Sequence, residues 1–69
     1  SQGKRDAALA EYERAVELQP GYPQAHLYLA VEYGIRGQSA RATAAARHFL
    51  TPFMPAPVAD SLASAMPRV

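Results

Sequence analysis

Apolar residues recur along this chain at the three- and four-residue spacing of a helix, in four separate stretches. Between about Asp6 and Gln19, Ala8, Leu9, Tyr12, Ala15 and Val16 form one stripe of a 3.6-residue helix, with Glu11, Glu13, Arg14 and Glu17 facing away. Between about Pro23 and Arg36, His26, Leu29, Ala30 and Tyr33 make a second stripe, and Leu27, Tyr28, Val31 and Ile35 add apolar side chains on other faces. A helix apolar nearly all round is expected to be covered on most sides. A third segment, about Ala40 to Leu50, carries Ala42, Ala45, Ala46, Phe49 and Leu50 on one face. A short fourth segment, Val58 to Met66, places Val58, Leu62, Ala65 and Met66 together.

Prolines and glycines punctuate these stretches. All six prolines stand at candidate helix boundaries, because proline lacks an N–H and its ring clashes with the preceding turn. Pro20-Gly21 is expected to end the first helix, and Pro23 suits the first position of the second. Gly37 fits the left-handed position just past the end of the second. Asp6 reads as an N-cap or first-turn acid, and Ser39 as the N-cap of the third helix. Residues 52–57, Pro-Phe-Met-Pro-Ala-Pro, read as a stiff extended connection. Alanine is the commonest residue and the best helix former, so an all-α fold is predicted.

Composition narrows the function. Hydrophobic residues make up 49% and charged residues 19%, which suits a packed domain rather than a disordered chain. With no cysteine, disulfides, thiolate metal sites and cysteine nucleophiles are excluded. A net charge of +1 supplies no field for nucleic acid, so no nucleic-acid partner is expected. The longest apolar run, Leu27 to Val31, falls far short of the roughly 18–20 residues of a membrane span. The N-terminal residues lack the apolar segment of a signal peptide.

Charge is uneven along the chain. Residues 6–17 hold four acids and one arginine, whereas Arg36, Arg41, Arg47 and His48 lie in a stretch without acids. A basic strip for an acidic partner is one reading. The plainer reading, which we favour, pairs Glu with Arg across stacked helices, with Glu13 near Arg47. Such surface pairs contribute roughly 0–1 kcal/mol each.

No catalytic motif is present: there is no H-E-x-x-H, no G-x-S-x-G and no glycine-rich phosphate loop. His26 and Glu32 are six residues apart on one helix and so point to opposite faces. His26 lies on the packing stripe and reads as structural, and His48 as a solvated cation near a helix C-terminus. The expectation is a non-enzyme with no catalytic residues, no metal site and no cofactor.

The chain also repeats. Shifted by 34 residues, Gly3 aligns with Gly37, Ala8 with Ala42, Ala15 with Phe49 and Val16 with Leu50. Gly3, Ala8, Tyr12, Ala15 and Pro20 resemble the second helix of a tetratricopeptide (TPR) repeat, and Leu29, Ala30, Tyr33 and Gly37 its first helix. His26 stands where the family often has tryptophan. The resemblance spans about Gly3 to Phe53, and Ala15-Val16-Glu17-Leu18-Gln19-Pro20 is its most specific part.

The resemblance implies antiparallel helix-turn-helix repeats that start out of phase. Residues 3–20 would be the second helix of a partial repeat and 22–53 a full repeat. Residues 54–57 would be a proline-rich connection and 58–66 a capping helix, making about four helices. The family's proline after the second helix would fall at Met54, whereas this chain has Pro52 and Pro55. The exit from the third helix is therefore expected to be remodelled. Aromatic and alanine exchange places between Tyr12/Ala15 and Ala46/Phe49, which keeps their summed volume.

In the resembling family the first helix of each repeat lines a concave groove for peptides or partner helices. Here those positions are Gln24, Leu27, Val31, Gly34 and Ile35, with Tyr22 and Tyr28 alongside. Relatives that clamp a C-terminal carboxylate use Lys and Asn there; Leu27 and Val31 do not suit a clamp. The expected partner-binding residues are Gln24, Leu27, Tyr28, Val31 and Ile35, and the expected partner is a protein or peptide. The alternative is a structural subunit or fragment buried in a larger assembly, with an oligomer or complex as its working state. Stacked repeats usually need about three units for stability, so support from outside these residues is expected.

Overall fold

The computed structural model describes residues 2–65, and among them every regular element is helical. The order is α1 (Gln2–Leu18), α2 (Pro23–Ile35), α3 (Ser39–Leu50) and α4 (Ala56–Ser64). Contacts between side chains set the directions. Asp6, early in α1, meets Arg36 just past α2, while Tyr12 meets Tyr28 further back. His26, early in α2, stacks on His48 near the end of α3, and Arg41 near the start of α3 lies over the Tyr33 ring. α1 and α2, and α2 and α3, therefore run antiparallel. α2 packs most closely on α3, α1 leans on α2, and α4 packs on α3. The Cα extents, 36 × 27 × 13 Å, describe a flat sheet of helices in which no helix is enclosed all round.

The core lies between α2 and α3. Leu29, Ala30 and Tyr33 of α2 meet Ala45 and Ala46 of α3 and Ala63 of α4; Leu9, Tyr12, Val16, Ala42 and Leu50 pack against this cluster half-buried. The stripes read from the sequence on α2 and α3 are the faces that pack. α1 is different: its stripe is only half-buried, and no α1 residue is fully buried. It contributes to the core from one side only.

Four boundary expectations change. α1 begins at Gln2, so Asp6 is not a cap but lies inside the helix. α3 begins at Ser39, with Gln38 in the cap position and no side-chain cap bond. Residues 52–57 are not an extended connection. The chain turns tightly after α3, with the Phe53 amide donating to the Leu50 carbonyl at 2.9 Å. Only Met54-Pro55 remains between the turn and α4. α4 then starts at Ala56 and holds Pro57 in its first turn, where the missing N–H has no intrahelical acceptor to lose. The buried face of α4 is Ala59 and Ala63; Val58 and Leu62 are about half exposed and Ala65 is exposed. The small residues face inward because they let α4 lie close to α3. Met66 lies outside the described residues.

The α2–α3 turn follows expectation. Gly37 has φ of 76°, and its amide and that of Gln38 bond back to the Gly34 and Tyr33 carbonyls at 3.1 and 2.9 Å. This left-handed closure satisfies carbonyls at the end of α2.

Candidate functional site

α2 carries two apolar faces. Successive residues turn by about 100°, so Ala25, His26, Leu29, Ala30 and Tyr33 occupy the buried side. Gln24, Leu27, Tyr28, Val31 and Ile35 fall within an arc of about 100° on the opposite side. The first helix turn, the Pro23 start and the Gly37 exit hold this arc outward along the full length of α2. Val31 and Ile35 are each 50% exposed and Tyr28 43%, while Leu27 is partly covered and Gly34 half-buried. The structure thus brings the five sequence-derived positions onto one continuous face that carries no charged side chain.

The two ends of the face differ. Toward α1, the Tyr28 ring rests on Tyr12, with centroids 5.0 Å apart. At the start of α2, the Tyr22 hydroxyl donates to Gln24 Oε1 at 2.8 Å, and Gln24 Nε2 reaches the Tyr28 hydroxyl at 3.4 Å. Toward α3 the face opens into a hollow of about 380 Å³ lined by Tyr22, Pro23, Gln24, Leu27, Phe49 and Phe53. Phe49 and Phe53 meet edge to face at 5.8 Å. The lining is aromatic and aliphatic, and Gln24 and Tyr22 supply its only side-chain polar groups.

Pro23, Phe49 and Phe53 were not among the site residues expected from the sequence. The missed signal was the turn after α3. Reading Pro52 to Pro57 as extended carries Phe53 away from the fold, whereas the turn at Leu50–Phe53 folds its ring back beside Phe49.

Charged groups hold the flanking helices without entering the face. Arg36 Nη2 contacts Asp6 Oδ1 at 2.7 Å, and Arg36 Nε and Arg5 Nε each approach Glu32 Oε1 at 3.4 Å. Gln2 Nε2 adds a 3.0 Å bond to the same Asp6 oxygen. The Arg36 bond, then the Gln2 bond, holds the Asp6 carboxyl below the ordinary carboxylate value, and Asp6 in turn raises Arg36. This chain of alternating charges ties α1 to α2.

The second tie lies deeper. The Tyr33 hydroxyl donates to Glu13 Oε2 at 2.8 Å, and the Arg41 guanidinium sits 5.9 Å from the Tyr33 ring centroid. Burial, then the Glu13 bond, pushes the Tyr33 phenol above its ordinary value.

The expected Glu13–Arg47 approach is therefore replaced. Glu13 takes the Tyr33 hydroxyl, and Arg47 pairs with Asp60 of α4 at 3.7 Å. The reason is that the backbones of α1 and α3 do not approach each other closely; both lie against α2. Charge still pairs across neighbouring helices, and Arg36, Arg41 and Arg47 are all engaged with protein groups.

The histidines divide as well. His26 is buried, with Nε2 2.7 Å from the Pro20 carbonyl, so it fastens the α1–α2 turn to α2. His48 is exposed, but rather than standing free in solvent its ring stacks on His26 at 5.0 Å and 24°. Among the described residues no group of three His, Asp or Glu side chains is placed to hold a metal ion. Among them, too, no buried side-chain nitrogen or oxygen lacks a partner, and no helix is long and apolar enough to cross a membrane.

Comparison with known proteins adds one finding. A family model described as TPR repeat matches residues 1–34, which takes in α1 and most of α2, including Leu27, Tyr28 and Val31. The chain matches no curated protein and no solved structure at a significant level.

Proposed function

We propose that this chain, whose residues 1–34 match the TPR repeat family model, is a tetratricopeptide-repeat protein of the kind that generally mediates protein–protein interaction: a non-catalytic binding module that holds a peptide or helix of a partner protein on the outer face of α2. In this reading α1 is the second helix of one repeat, α2 and α3 are the pair of the next, and α4 is a cap. Gln24, Leu27, Tyr28, Val31 and Ile35 form the binding surface, with Phe49 and Phe53 extending it. One observation carries the proposal: α2 turns an uncharged, largely apolar outer arc to solvent, although its inner arc already supplies the core. Scattered exposed apolar residues are ordinary, but a continuous row along one helix marks an interaction surface. A face of this shape suits an amphipathic helix laid along it or an apolar peptide, and its lack of lysine and arginine argues against nucleic acid.

The test begins with peptides selected from a displayed random library on the wild-type chain. Binding is then measured to Leu27→Glu and Val31→Glu, with helicity and melting followed by circular dichroism. The expected result is loss of binding by at least tenfold with both folding readouts nearly unchanged. Failure to select any peptide whose binding depends on Leu27 or Val31 refutes the proposal.

A second reading is a structural piece whose apolar faces are permanently covered in an assembly. It is favoured by Leu18 and Phe53, 67% and 66% exposed, and by Val58 and Leu62 on α4. Leu18, Val58 and Leu62 lie on other helices than the α2 row and give the molecule further uncovered apolar surface. Sedimentation separates the two readings: a cooperatively melting monomer supports the module, and a partner-dependent fold supports the embedded piece.

A further inference from the structure

No further inference is drawn: the strongest candidate, the aromatic hollow between the start of α2 and the end of α3, is continuous with the α2 face already described, and nothing in the structure shows what covers it.

Discussion

Replacing Tyr33 tests the packing and the polar ties of the fold together. Its ring is 9% exposed, sits in the α2–α3 cluster, and ends in a hydroxyl bonded to Glu13 on α1. Truncation to alanine removes a core ring, which costs about 3–5 kcal/mol. It also removes the hydroxyl bond. A bond to a charged acceptor contributes roughly 1.5–3 kcal/mol, but Glu13 is partly exposed, and discounting for solvent leaves about 1 kcal/mol. A domain of this size rarely commands more than about 3–5 kcal/mol in total. Tyr33→Ala is therefore expected to abolish the cooperative transition, whereas Tyr33→Phe keeps the ring and loses only the bond. With a urea dependence near 1 kcal/mol per molar, Tyr33→Phe should lower the midpoint by about 1 M. Far-UV circular dichroism against urea measures both. An alanine variant that melts like wild type would show that the ring is not core. A phenylalanine variant with an unshifted midpoint would show that Glu13 contributes nothing. The alkaline limb gives an independent check. Because the folded phenol is raised above 10.0, its contribution is full below that value and is lost as pH climbs through the folded value. Tyr33→Phe should remove that part of the alkaline loss, and an unchanged alkaline slope would contradict the assignment.

Further outcomes follow from single contacts. Asp6 is depressed, so its contribution is full above 3.8 and is lost as pH falls through the folded value; Asp6→Asn should flatten that acid limb, as read from stability against pH. Gly37→Ala meets no atom within 4 Å but forces a side chain into the left-handed region, at about 1–2 kcal/mol, measured by urea midpoint. Ala59→Leu overfills the α3–α4 contact, where Ala59 has no exposure, and should cost about 1–3 kcal/mol. Limited proteolysis should then cut first within α4; unchanged cleavage would mean that α4 does not depend on that contact.

The helices were legible because their cause is local. Each apolar stripe repeats at the helical period, and Pro20, Pro23, Gly37 and Pro52 mark where α2 and α3 are set off from their neighbours, so the stripes of these two helices are readable from spacing alone. The charge pairing was legible only in kind. Which acid meets which arginine depends on how closely α1 approaches α3, a fact of packing that no spacing encodes. With α1 and α3 apart, Glu13 turns to Tyr33, and Arg47 turns to Asp60. The inward face of α4 was misread for a related reason. Hydrophobic bulk pointed to Val58 and Leu62, but close approach to α3 favours Ala59 and Ala63, whose small side chains let the backbones draw together.

The outer face of α2 follows from the same alanines. Ala30, Ala45 and Ala46 let α2 and α3 pack closely, and α1 takes the neighbouring side of α2 through Leu9, Tyr12, Val16 and the Asp6–Arg36 tie. Those two neighbours use up the inner arc. α4 could cover the outer arc only by crossing over α2, but the turn at Leu50–Phe53 and the Arg47–Asp60 pair send it along α3, and it reaches the core only through Ala63, on the inner side of α2. Val31 and Ile35 thus stay about half exposed, and Leu27 partly covered, because of the order of packing, although their side chains are as apolar as those of the core. Polar residues at these positions would leave every described helix contact intact and would avoid the cost of exposing apolar surface to water, about 25 cal/mol per Å². Stability of the described fold supplies no reason for Val31 and Ile35 to be apolar, and this is what supports the proposal that a partner covers them.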